Sequence, residues 1–251
     1  MNVVCLGSKG SAVTTTALAL AGGWPVTSVP VVMVEADPAG GDIAARFDLA
    51  ASPSLLTAAA SLQQPTVGLL LEHTQTLPGG LRVLPAPLRS LEVGGGMNDF
   101  TRAVVAPLRG SHDVNLVIDA GRCDVRTIPA LTLHADLVVI VIRQELRSAQ
   151  ATVGRCLHAQ QVVETLATHG MSVVAVVVGD APYKAMRSVG SSVCPSLVCW
   201  RKTRTVPVTS PVGRPPAALL AARIWPSPQP ASPTSSQPDS LAHWCRHEHN
   251  G

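Results

Sequence analysis

Aromatic residues are scarce in this chain, with two Phe, one Tyr and four Trp among 251 residues. Since 46% of the residues are hydrophobic but only 3% aromatic, any core must be built from Ala, Val, Leu and Ile, and the length suits one domain or one domain plus a tail. Long apolar runs are missing too. No stretch of roughly 18 uncharged apolar residues offers a membrane span, and the N-terminus lacks the basic region and cleavage site of a secretory leader. These absences predict a cytoplasmic protein with no membrane partner. Cys5, Cys123 and Cys156 lie far apart in apolar or helical patterns, which predicts reduced structural thiols. Charge of one sign is also lacking, at 19 Lys and Arg against 16 Asp and Glu. That balance hides a division. Residues 181–251 hold eight basic and two acidic residues, leaving 11 against 14 for residues 1–180. The same segment holds 11 of the 21 Pro and three of the four Trp, so two different compositions share one chain.

The stretch most suited to holding a ligand runs from Val3 to Leu20, VVCLGSKGSAVTTTALAL. A short apolar run passes through Gly, Ser and Ala into a helical pattern, a strand–loop–helix that leaves unpaired N–H groups at the positive end of the helix dipole. Such a loop attracts phosphate. Three hydroxyls, Thr14, Thr15 and Thr16, fall in the first helical turn, where one can reach a phosphate-bound Mg2+. The next apolar run, Pro30–Glu35, is valine-rich and too short for a helix, so it reads as a parallel strand. A turn-rich loop with Asp37 and Asp42 follows it. In an open α/β sheet, ligands bind beyond the carboxyl ends of the strands, so this loop and the first face one crevice. Either aspartate also suits a cap for a helix over 43–47. Asn115–Asp119 repeats the pattern of a strand ending in a carboxylate. Further strands are expected at 81–84, 135–142 and 171–178, and helices within 52–71, over 97–108, and after Arg143 with Ala149, Val153 and Leu157 at helical spacing. Continuous apolar strands alternating with helical patterns predict an α/β fold: a parallel, doubly wound sheet with helices on both faces.

Residues 9–16, KGSAVTTT, resemble the deviant phosphate loop KGGxGKTT of the ParA/MinD ATPases rather than the standard GxxxxGK[ST]. VVMVEADPAGGD resembles that family's strand and DxDPxxGN loop, with Glu35 and Asp37 at the two acidic positions, and NLVID its Walker B strand. The resemblance covers about residues 1–183. It implies a P-loop fold and an ATP- and Mg2+-dependent homodimer that partitions or positions DNA or another cargo. Residue by residue, it implies that Lys9 reaches the partner's phosphates and that Gly10, Ser11, Ala12, Val13, Thr14, Thr15 and Thr16 cradle the nucleotide. Thr15 and Asp119 would serve Mg2+, and Asp37 would orient the attacking water. Two positions depart from the pattern: Thr14 stands where the family has its second lysine and Val13 where it has glycine. A hydroxyl brings no positive charge and a β-branched residue suits a tight turn poorly, so weak hydrolysis is expected at best, and a scaffold or regulator without turnover is the alternative. Gly179 and Asp180 stand where the family often has an Asn that reads adenine. Glu145 and Arg147 fall at its dimer edge, and no membrane-targeting helix of the MinD type is evident.

After Tyr183 the resemblance stops. Residues 184–251 are rich in Pro, Ser and Arg, with no helix or strand period in 193–210 and low-complexity sequence in 226–240. One expectation is a disordered basic tail able to contact nucleic-acid phosphates without sequence preference; the other is a shift of reading frame between Tyr183 and Val193. His243, Cys245, His247 and His249 are potential metal ligands at a spacing that fits no zinc module, as are Cys194 and Cys199. His73 and His112 are expected to be solvated.

Overall fold

The computed structural model describes residues 1–8, 10–61, 66–87, 96–123, 128–144, 149–179 and 197–200. Among them, β1 (Asn2–Gly7) leads to α1 (Val13–Gly22) and β2 (Val31–Glu35), followed by the short helices α2 (Ile43–Arg46), α3 (Leu55–Ser61) and α4 (Val67–Glu72). Then come β3 (Gln75–Thr76), β4 (Arg82–Leu84), β5 (Asn115–Arg122), β6 (Leu137–Arg143), α5 (Ala149–Thr168), β7 (Val173–Val178) and β8 (Leu197–Trp200). The strands form one sheet in the order β3-β4-β2-β5-β1-β6-β7-β8. Every pairing is parallel except that of β3 with β4.

Successive side chains of a strand point to opposite faces, and here both faces are buried. Val4, Leu6, Val32, Val34, Leu116 and Ile118 pack with Leu55, Leu70, Phe100, Val162 and Leu166 on one side. Val3, Cys5, Met33, Val117 and Val139 pack with Val13, Ala17 and Leu20 of α1 on the other. This explains why the strands read as unbroken Val/Ile runs and not as alternating patterns. Of the largest fully buried side chains only Phe100 is aromatic, in keeping with the aliphatic composition.

The elements differ from expectation in four places. The helix expected over 97–108 has π-helical winding at Thr101–Val105, where the Thr101 hydroxyl donates to Met97 O at 2.8 Å. In α5, Val153 and Leu157 are exposed, and the inward face consists of Thr152, Ala159, Val162 and Leu166. Spacing located the helix, but Val153 and Leu157 do not mark its buried side, since polar Thr152 is inside. The two-residue β3 is too short to leave a pattern. Finally, 193–210 does contain a strand: Leu197–Trp200 pairs along β7, with Ala175 opposite Leu197 and Val178 opposite Trp200. Four apolar residues carry little period alone, and the edge of β7 supplies the hydrogen bonds that make them a strand. The histidines and cysteine of 243–249, with Cys194, lie outside the described residues, as do Lys9, Glu145, Arg147 and Asp180. Cys5 and Cys123 are buried and Cys156 partly so.

Candidate functional site

The sheet order fixes where a ligand has to go. β1 lies between β5 and β6, and α1 carries the chain from β1 over β5 to β2, so the connections diverge at the carboxyl end of β1. That point is where open α/β sheets bind ligands. The register sets Glu35, Asp119 and Cys5 opposite one another at the ends of β2, β5 and β1. The ladder continues one bond further, from Ala36 N–H to Asp119 O at 2.7 Å. Asp37 therefore emerges beside Asp119. On the other side of β5, Gly7 pairs with Arg122 and accepts from Cys123 N–H at 3.0 Å, which brings the first loop alongside.

Within that loop the Ser8 and Ser11 hydroxyls lie 2.9 Å apart, and Ser11 N–H donates to Ser8 O at 3.1 Å. Ala12 adopts a left-handed conformation (φ 62°) at the head of α1, with no side chain capping the helix and no acid in its first turn. Among the described residues, no side chain caps the positive end of α1. Val13 is buried in the core against the sheet. The three threonines face different ways. Thr16 is buried and its hydroxyl turns back to Ala12 O at 2.9 Å, Thr15 is exposed, and Thr14 is half-buried beside Asp119, whose negative charge its hydroxyl helps to hold.

Asp119 is wholly buried. Its Oδ1 accepts from Gly121 N–H at 2.9 Å, while Oδ2 has no hydrogen-bond partner among the described residues. Thr14 lies near this carboxylate without forming a well-aligned bond to it. Burial pushes the Asp119 carboxyl up to about 6; the Thr14 hydroxyl and Gly121 N–H oppose the rise, and the charges of Asp37 and Glu35 add to it. Asp37 is half-buried and also raised by burial, against the Ala39 N–H and the Arg122 guanidinium, with Asp42 raising it further. Its Oδ1 accepts from Ala39 N–H at 2.8 Å, so it shapes its own turn and caps no helix.

Asp42 likewise makes no side-chain cap to α2; its carboxylate pairs with Arg46 at 3.5 Å. The acceptor at the start of α2 is Glu35, whose Oε1 takes Asp42 N–H at 2.7 Å and Ile43 N–H at 3.0 Å, while Oε2 takes Ala86 N–H at 3.0 Å. One buried carboxylate ties the Asp37 loop to the exit of β4. Gly41 permits this, since a Cβ there would collide with the Glu35 carboxylate and Ala86. Sequence reasoning placed Glu35 at an acidic motif position but missed this tether, and missed Arg122 as the counter-charge of Asp37. The tether left no local signal, because its Ala86 partner is 51 residues away. Arg122 could have been suspected from its place three residues after Asp119.

Gly121 sits between the two aspartates. Its φ is +64°, and a Cβ there would overlap the Asp37 carboxylate. Gly121→Ala is therefore expected to cost about 1–3 kcal/mol for the left-handed backbone alone and to push Asp37 out of the crevice. Urea denaturation reads the first effect. Loss of the electrostatic coupling between Asp37 and Asp119, followed by carboxyl NMR titration, reads the second; an unchanged Asp119 titration would contradict this placement.

Among the described residues, no three His, Cys, Asp or Glu side chains converge as a closed metal site, and no helix is long and apolar enough to cross a membrane. His73 Nδ1 lies 2.9 Å from Leu69 O of its own helix, and His112 is exposed.

A parallel sheet wound in both directions, with a strand–loop–helix at its centre and carboxylates at the neighbouring strand ends, is the P-loop NTPase-like fold. More narrowly, the chain has a ParA/MinD-type fold. A ParA family ATPase from Chlorobium tepidum superposes with a TM-score of 0.54 at 15% identity, covering 74% of this chain and 76% of that one. McdA of Cyanthece, in its apo form, superposes at 0.52 with 18% identity, covering 79% and 83%. Cobyrinic acid a,c-diamide synthase from Mycobacterium smegmatis, in a structure with bound ADP and magnesium, gives 0.50 at 19% identity over 89% and 91%. No protein-family model matches the sequence, and no curated protein matches it either.

Proposed function

We propose that this protein binds ATP with Mg2+ at the carboxyl ends of β1, β2 and β5, and that the nucleotide switches it between monomer and homodimer in the partitioning or positioning of DNA or another cargo. The observation that carries the reading is the second oxygen of Asp119, buried and without a hydrogen-bond partner among the described residues, beside a helix start that no side chain caps. A buried carboxylate oxygen left open is costly, and a hydrated cation satisfies it. Mg2+ keeps several waters and shares its shell with substrate phosphates, so it needs few protein ligands. Bound there, Mg2+ would supply positive charge against the phosphates. Asp119 would anchor its shell, Thr14 would offer the hydroxyl beside that carboxylate, and Thr15 would have to reach it from the solvent side. The N–H groups of Gly10, Ala12 and Val13 would line the phosphate side, while those of Ser11 and Thr16 are taken by Ser8 O and Ala12 O; Lys9 would neutralise phosphate across a dimer, and Asp37 would orient water. DNA held through basic residues and a protein regulator complete the switch.

One observation favours a second reading, an ATP-binding scaffold that does not turn over. Val13 is committed to the core, and Thr14 brings no positive charge where phosphate needs it most. Titration of labelled ATP with and without Mg2+, with light scattering and phosphate release on the same samples, separates the two. The switch predicts Mg2+-dependent binding, an ATP-dependent doubling of mass that Lys9→Ala abolishes, and slow turnover that Asp37→Ala abolishes. Binding without turnover supports the scaffold. No binding in any condition overturns both.

A further inference from the structure

Glu35, Asp37 and Asp119 bring their negative charges together at the strand ends, and the phosphates of a nucleotide would add to them. Mg2+ offsets only part of that charge. We propose that Arg122, at the carboxyl end of β5, is a phosphate-binding residue of this site, its guanidinium contacting the terminal phosphate of a nucleoside triphosphate and supplying the positive charge that Thr14 does not. The proposal rests on the nucleotide reading above, in which Asp37 orients the attacking water and the terminal phosphate therefore lies beside Asp37.

Three features carry it. First, β5 delivers Arg122 to the phosphate loop. Arg122 pairs with Gly7, the last residue of β1, and Cys123 N–H donates to Gly7 O at 3.0 Å. The loop folds directly over that pair, since a Cβ on Gly7 would come within 2.9 Å of Ser11 Cβ and 3.1 Å of a Val13 methyl. Neighbouring strands lie about 4.8 Å apart, a gap that an arginine side chain is long enough to cross. Second, Arg122 stands beside Asp37. The Asp37 carboxylate occupies the space that a Cβ of Gly121 would take, one residue before Arg122, and the guanidinium favours the charged form of Asp37 against the effect of burial. Gly121 N–H binds Asp119, so both aspartates and the guanidinium are gathered around one glycine. Third, Arg122 is exposed, whereas Arg46, which follows the Asp37 loop on α2, pairs with Asp42 at 3.5 Å. A guanidinium is planar and grips two phosphate oxygens at once, and a positive charge held beside a phosphate under attack lies where charge develops during transfer.

The test is calorimetric titration of Mg-ATP, Mg-ADP and inorganic triphosphate into the full chain and its variants Arg122→Ala, Arg122→Gln and Arg122→Lys. A charged hydrogen bond lost from the terminal phosphate is expected to lower ATP and triphosphate affinity at least about tenfold in Arg122→Ala and Arg122→Gln, and ADP affinity by less than about threefold. Arg122→Lys should recover part of the loss. Should Arg122→Ala fail to fold, Arg122→Gln decides. Arg122→Ala is also combined with Asp37→Asn, which keeps an oxygen for Ala39 N–H but carries no charge. If Arg122 served only to screen Asp37, removing the Asp37 charge would make its loss harmless. A loss of ATP affinity that persists in the double variant, measured against Asp37→Asn alone, upholds the contact, and full restoration overturns it. Equal losses for ATP and ADP overturn the terminal-phosphate contact. ATP binding indifferent to Arg122 overturns the proposal while leaving the nucleotide reading intact. Arg122-dependent triphosphate binding without ATP binding upholds Arg122 as a phosphate ligand and overturns the nucleotide reading, and binding of none of the three overturns both.

Discussion

Asp119→Asn is expected to make the protein more stable and unable to hold a metal–nucleotide complex. The gain follows from linkage. The folded Asp119 carboxyl titrates near 6 against an ordinary 3.8, so below about pH 4 it is protonated in folded and unfolded chains alike and costs nothing. Between about pH 4 and 6 the unfolded chain releases the proton and the folded chain keeps it. Stability contributed by this group therefore falls as pH rises through that window, and above about pH 6 the full cost remains, roughly 2–3 kcal/mol for a carboxyl held near 6 instead of 3.8. Asparagine carries no charge to bury and retains an oxygen for Gly121 N–H, so urea denaturation should find the variant level with the parent near pH 4 and about 2 kcal/mol more stable at pH 7.5. Mg-ATP should do the reverse, protecting the parent increasingly above pH 6 and the variant at no pH. A variant less stable than the parent at pH 7.5 would mean that the carboxylate is already satisfied, and the cation assignment would go with it.

Glu35→Ala is expected to act in the opposite direction and more strongly. Its two oxygens accept from Asp42, Ile43 and Ala86 N–H, and together those bonds outline the loop that carries Asp37. Burial pushes the Glu35 carboxyl above its usual range, and the three N–H donors oppose that rise. Removing the side chain leaves three N–H groups to find water or go without, at about 1–3 kcal/mol each. A loss of about 3–5 kcal/mol is expected by denaturant unfolding. Glu35→Gln should lose less, since its one remaining oxygen serves two of the donors while its amide N–H2 faces the third. Amide exchange provides the decisive check: Asp42, Ile43 and Ala86 should lose protection together in Glu35→Ala. Continued protection of Ala86 alone would show that the loop and the β4 exit are held independently.

These two residues also divide what could be read along the chain from what could not. Asp119 was legible because strand-forming residues run directly into it and because Asp37 and the threonine run stand in the same chain order at other strand ends. Glu35 is equally acidic and equally terminal, yet its work was hidden, since the bonds it accepts come from a loop seven and eight residues on and from another strand exit altogether. The threonines show the same limit. Three adjacent hydroxyls look equivalent in sequence, but a helix turns 100° per residue, so Thr16 faces the core, Thr15 the solvent and Thr14 the carboxylate.

The sequence by itself determined the layers. Valine-rich runs too short for helices, each buried on both faces, admit a parallel sheet between helices and little else, because such strands have no polar side to offer water. Tertiary structure alone decided which strands became neighbours, the short pairings of β3 and β8, which face of α5 turned inward, and the direction of each side chain at the strand ends. The reason is one of range: local periodicity records whether a residue must leave water, whereas a site depends on backbone N–H groups and charges that register and crossover bring together from distant parts of the chain.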